Sequence, residues 1–115
     1  MVSTGCELPI FHLMTTAIYE LTESFPSSEK FALTNQLRRV AVSVASNVAE
    51  ENGRLTRGEY LQFLGHARGS NAEIETQLII ARALGFGSAS SISNVQELCA
   101  DVSRLLGNLI ESLRA

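Results

Sequence analysis

An all-α protein, an antiparallel four-helix bundle of up-down-up-down topology, is what this 115-residue sequence predicts. Three observations carry that expectation. Apolar side chains recur at steps of three and four over four separate segments. The segments are divided by short clusters of Pro, Gly and Ser. The period-two alternation of a half-buried strand competes nowhere with the helical period.

The first helix is expected over about residues 9–24, where Phe11, Met14, Ile18, Leu21 and Phe25 share a face and Pro9 suits a first turn. Phe25-Pro26-Ser27-Ser28 stops it, because the residue before proline is pushed out of the helical region and the serines offer an N-cap to the second helix. That helix spans about 28–52, and Gly53 stands where a left-handed terminating residue belongs. Thr56-Arg57-Gly58-Glu59 has the spacing of a capping box and opens a third helix over 57–84, which Gly85 ends. Its core face is read as Tyr60, Leu64, Ala67, Ile74, Leu78 and Ala81, while Gly65, Gly69, Ala72, Thr76 and Ile80 form a small-residue side that another helix could approach closely. Gly87 to Ser91 is read as a linker. The fourth helix, about 93–113, follows Val95, Leu98, Val102, Leu105 and Leu109, a seam widened by Cys99, Leu106, Ile110 and Leu113.

The second helix is the most informative. At about 100° per residue, Leu33, Leu37, Val40, Val44 and Val48 fall on one side and Gln36, Ser43, Asn47, Glu50 and Arg54 on another, with Val42, Ala45 and Ala49 on a third. Only a thin arc around Arg39 and Ser46 is left for water. Two stripes call for two neighbours, so the helix is expected to pack inside its own bundle and against another subunit.

Composition narrows the function classes. Hydrophobic residues at 45 % against 18 % charged describe one globular domain with a single core. The net charge of −3 and a pI near 5.3 are the reverse of a nucleic-acid footprint. Glu7, Glu20 and Glu23 make the first helix acidic. Neither a signal peptide nor a run of 18 apolar residues is present, and Cys6 and Cys99 form no C-x-x-C, so a reducing cytoplasm and no membrane are expected. His12 and His66 complete no Glu-x-x-His, which excludes the di-iron bundle, and no nucleophile elbow, HExxH or P-loop occurs. No catalytic residue, metal or cofactor is expected.

Two readings of the polar stripe stay open. Ser43, Asn47, Glu50 and Arg54 could hold a ligand or use Glu50 or Glu73 as a general base. The reading preferred is a structural network, with Gln36, Arg38, Arg39, Ser43, Asn47, Glu50 and Glu73 pairing across helices and subunits beside Gly65 and Gly69. Eight of the nine basic residues are arginine, a fork that suits carboxylate and phosphate alike. A rim of Arg54 and Arg57 repeated in an oligomer is therefore the rival reading, a contact to RNA or DNA.

Phe25-Pro26 with Glu29, Gln36-Leu37-Arg38-Arg39, Ala41-Val42-Ser43 and Ser46-Asn47-Val48-Ala49-Glu50 belong to one combination. Gly53-Arg54, Tyr60, Phe63-Leu64, Ala67, Gly69-Ser70, Glu73, Glu75-Thr76-Gln77, Ala81 and Leu84-Gly85 continue it. Over about residues 11–110 the chain resembles the bacterial four-helix proteins encoded in intervening sequences of 23S ribosomal RNA genes. It departs from them at Ala45, where the family usually has Pro, and at Glu51, where it usually has Gly. Ala45 removes the kink a mid-helix proline would impose. The resemblance implies an antiparallel bundle that assembles into a ring, commonly a pentamer. It also implies kinship with accessory proteins of diversity-generating retroelements, which are basic and bind nucleic acid and a reverse transcriptase. Expected partners are thus further copies of the chain, an unidentified protein, and, on the rival reading, RNA or DNA.

Overall fold

The computed structural model describes residues 4–51 and 56–114, with side chains described over 9–46 and 56–114. Four helices make up the fold: α1 (Thr4–Thr22), α2 (Leu33–Glu51), α3 (Arg57–Leu84) and α4 (Ala89–Arg114), with a 3-10 turn at Ser27–Glu29 before α2. No strand occurs among the described residues.

Each helix packs on two others: α1 on α2 and α4, and α3 on α2 and α4, with no diagonal contact among the described residues. The directions follow from single bonds. Thr15 Oγ1 donates to the Ala41 carbonyl, whereas further along α1 the Tyr19 carbonyl and Thr22 Oγ1 accept from Arg38, earlier in α2. Numbers rise in one helix as they fall in the other, so the pair is antiparallel. Between α3 and α4 the same order holds, Asn71 meeting Cys99 and Arg82 meeting Ala89, Ser93 and Gln96.

Local chemistry decides where the helices begin. α1 starts five residues before the expected Pro9, which therefore lies inside the helix and, having no N–H, cannot return a bond to the Gly5 carbonyl. α2 starts at Leu33 instead of Ser28. Pro26 at φ −57° opens a 3-10 turn in which Glu29 N donates to the Pro26 carbonyl and Lys30 N to that of Ser27. The side-chain acceptor at the head of α2 is Glu29 Oε1, which takes the Leu33 N–H, and the serines do not fill that role. α3 opens on the capping box: Thr56 Oγ1 accepts from Glu59 N while Glu59 Oε1 accepts from Thr56 N. Those bonds hold the Glu59 carboxyl below the usual carboxylate range, the Thr56 backbone N–H contributing most. α4 begins at Ala89, within the expected linker, because Ser88 Oγ accepts the Ser91 N–H and caps it. The α2 terminus expected at Asn52–Gly53 lies outside the described residues.

Gly85 and Gly87 share a left-handed backbone, φ +78° and +72°, in the α3–α4 turn. Gly85 closes α3, its N–H reaching the Ala81 and Arg82 carbonyls. Gly87 is a close approach as well: a Cβ there would stand 2.9 Å from Leu21 Cδ1 and 3.2 Å from Phe25 Cε1. The turn thereby lies on the end of α1, where Phe25 and Phe86 meet at 5.6 Å between ring centres.

The core takes Phe11, Met14, Ile18, Leu21 and Phe25 from α1 and its neighbouring turn, all on the expected face. On α2 the buried line is Leu37, Ala41, Val44 and Ala45, rotated toward the small residues, with Leu33 and Val40 only half-buried. On α4 it is Ile92, Val95, Cys99, Val102 and Leu106, while Leu98, Leu105 and Leu109 flank it. Ala41 and Ala45 let α1 approach α2 closely, which places the branched residues at the edge of that contact.

Candidate interaction surfaces

Within one chain the outer side of α2 is a broad solvated face, not the thin arc expected. Asn35, Gln36, Arg39, Val42, Ser43 and Ser46 are all exposed on it. Arg38 alone turns inward toward α1: its Nε donates to Thr22 Oγ1 at 2.8 Å, one Nη donates to the Tyr19 carbonyl, and the guanidinium lies 4.5 Å from the centre of the Tyr19 ring. Stacking and hydrogen bonding together fix its position. Arg39 donates to Gln36 Oε1 one turn back. The side chains of Asn47 and Glu50, and Arg54 as a whole, lie outside the described residues. On α3, Arg57, Gly65, Gly69 and Glu73 are exposed, and Glu73 Oε2 accepts from Gln77 Nε2 at 3.4 Å.

These placements make a groove between α1 and α2. Tyr19, Asn35, Arg38, Arg39, Val42 and Ser43 line about 500 Å³ of it. Val42 also floors a continuation of about 220 Å³ bounded by His12, Thr15, Thr16, Ala45 and Ser46. The described lining holds two arginines and no carboxylate. Between α1 and α4 a separate cleft of about 430 Å³ is lined by Ser24, Ser88, Ser90, Ser91, Asn94 and Glu20 among others.

The outward side of α3 is also bare. Gly65, Gly69, Ala72 and Thr76 are exposed, no described atom outside the helix lies within 4 Å of where a Cβ on either glycine would stand, and Ile79, Ile80 and Leu84 are 60 %, 45 % and 59 % exposed. Leu13, Tyr19, Phe31 and Val42 add exposed apolar area on α1, the turn before α2, and α2. The helical period foretold the small-residue side of α3. Ile79, Leu84, Leu13 and Phe31 were not singled out as exposed.

Two buried polar side chains were also missed. Asn71, 1 % exposed, donates Nδ2 to the Cys99 carbonyl at 2.9 Å, while its Oδ1 and Gln77 Oε1 have no partner among the described residues. A signal existed: the core face read from Ala67 to Ile74 skips one turn, and Asn71 fills it.

Beside Asn71, Cys99 is buried with its Sγ 3.8 Å from Met14 Sδ. Burial, with a smaller effect of the Glu75 charge, pushes the thiol up from 9.0 to about 12. The fold thus favours the neutral thiol, so this contribution to stability is intact below pH 9 and is lost as pH rises from 9 toward 12. Urea unfolding across that range is expected to show a declining midpoint, and Cys99→Ala is expected to lessen the decline.

Among the described residues no group of three or more His, Cys, Asp and Glu could hold a metal ion, and no helix is long and apolar enough to cross a membrane. Compared with known proteins, residues 11–108 match the family model described as 23S rRNA-intervening sequence protein. No curated protein matches the chain.

Proposed function

The chain belongs to the family of 23S rRNA-intervening sequence proteins, and from that premise we propose that it is a non-enzymatic scaffold or adaptor of the cytoplasm, built as a ring of identical copies. Five copies is the number the resemblance implies. The observation that carries this reading is the bare outward side of α3. It runs from Gly65 to Ile80 without a charge along its centre and ends among isoleucines that water covers in a single chain. A contiguous apolar surface of that kind favours a protein neighbour, and glycines without contacts leave room for its backbone. Exposed Glu20 on α1 and Glu23 in the turn after it stay available to a partner protein.

The test is the native mass of the protein recovered from its own cells at low salt, before and after nuclease. A multiple of the chain mass unchanged by nuclease supports the scaffold. The mass of one chain defeats it. Excess mass that nuclease removes favours the RNA- or DNA-binding reading, makes Arg54 and Arg57 the first residues to mutate, and should fall steeply with salt.

A further inference from the structure

Resting on the reading that the protein is homo-oligomeric, we propose that its copies join head to tail, the α1–α2 groove of one copy receiving the outward side of α3 of the next, with Glu73 set against Arg39 and Arg38. The groove is the demanding half of this junction. It presents an apolar floor, Val42, an aromatic wall, Tyr19, and two cations with no carboxylate in the described lining. Arg38 is already held by the Tyr19 ring and Thr22 Oγ1, so little freedom is lost when a carboxylate arrives. The fitting occupant is a helix slender enough to enter and acidic at its border.

α3 of a second copy meets both requirements. Gly65, Gly69, Ala72 and Thr76 share one side of it, which brings the helix axis close to Val42. Glu73 stands at the border of that side, exposed, with one long bond to Gln77. The lengths agree: Asn35 to Ser46 spans about 17 Å of groove and Gly65 to Ile80 about 22 Å of helix.

The same charges argue against a symmetric pair. Two grooves face to face would set Arg38 and Arg39 of one copy against those of the other, like charges in a closing interface. Groove and occupant are different patches of one chain, so the contact is heterologous. Such contacts repeat until the rotation closes a ring.

Charge reversal tests the junction. Native mass and light scattering are measured on the purified full chain and on Arg39→Glu, Glu73→Arg and the double variant, with far-UV circular dichroism to confirm that each stays helical. Each single reversal is expected to weaken association at least about tenfold. The double variant, which restores the pair in the opposite sense, is expected to recover the wild-type mass, and a helical circular dichroism signal in each single variant separates that recovery from the repair of a folding defect. An assembled wild type whose single reversals keep its mass overturns the junction alone, as does a double variant that fails to recover. A wild type with the mass of one chain overturns the oligomer as well.

Discussion

Asn71→Asp is expected to lower the unfolding free energy by about 3 kcal/mol or more at neutral pH, and Asn71→Leu to raise it by about 1 kcal/mol. The two variants differ in what they leave in the core between α3 and α4. Asparagine there makes one bond, to the Cys99 carbonyl, and leaves Oδ1 unpartnered at 1 % exposure. An orphaned acceptor costs about 1–3 kcal/mol and a neutral bond returns about 1. Leucine branches at Cγ as asparagine does, so it discards both and gains apolar burial. Aspartate instead places an ionisable carboxyl in the buried seam, at a position 1 % exposed. Its carboxyl would be neutral in the fold, above the unfolded value near 3.9. The penalty therefore grows as pH rises above that value and shrinks as pH falls through it. Urea titrations at pH 7 and pH 3.5 measure both. Equal stability of the leucine variant and the wild type would mean that Oδ1 is satisfied in solution. If Asn71 sets the register of α3 on α4, the leucine variant is also expected to show broadened amide signals.

How much of this was readable in advance varies from element to element. Arg57–Leu84 was legible at both ends, because a capping box and a left-handed glycine act within a few residues of themselves. The head of α2 was not. Ser27 and Ser28 have the right identity for a cap, but Pro26 sets a 3-10 turn that hands the role to Glu29, and identity alone cannot show which acceptor reaches an amide. At the head of α4 the error ran the other way, serines read as linker being cap and first turn. The sites divide similarly. Periodicity put Gly65 and Gly69 on the side of α3 away from the core, where they are, whereas Gln36 and Ser43, expected against a neighbour, are exposed within one chain. That Arg38 reaches across to Tyr19 and Thr22 depends on how close α1 lies, a tertiary fact set by Ala41 and Ala45 rather than by any pattern around Arg38 itself.

Phe11→Ala and Phe31→Ala should part company by several kcal/mol although the substitution is the same. Phe11 is 1 % exposed on the α1 core face, and its loss is expected to cost about 3–5 kcal/mol through lost burial and the cavity left behind. Against a total of about 5–15 kcal/mol for a domain, that removes a large share of what holds the bundle. Phe31 is 88 % exposed in the turn before α2, where the Lys30 ammonium lies 5.6 Å from its ring centre. Within a single chain its removal is expected to change stability by no more than about 0.5 kcal/mol. Urea unfolding at two protein concentrations separates the cases, because association stabilises the folded chain by mass action while core packing does not depend on concentration. The Phe11→Ala loss should be the same at both. A Phe31→Ala loss that appears only at the higher concentration would place Phe31 on a surface covered by another copy. A large loss at both would contradict the exposure and require Phe31 to pack inside its own chain.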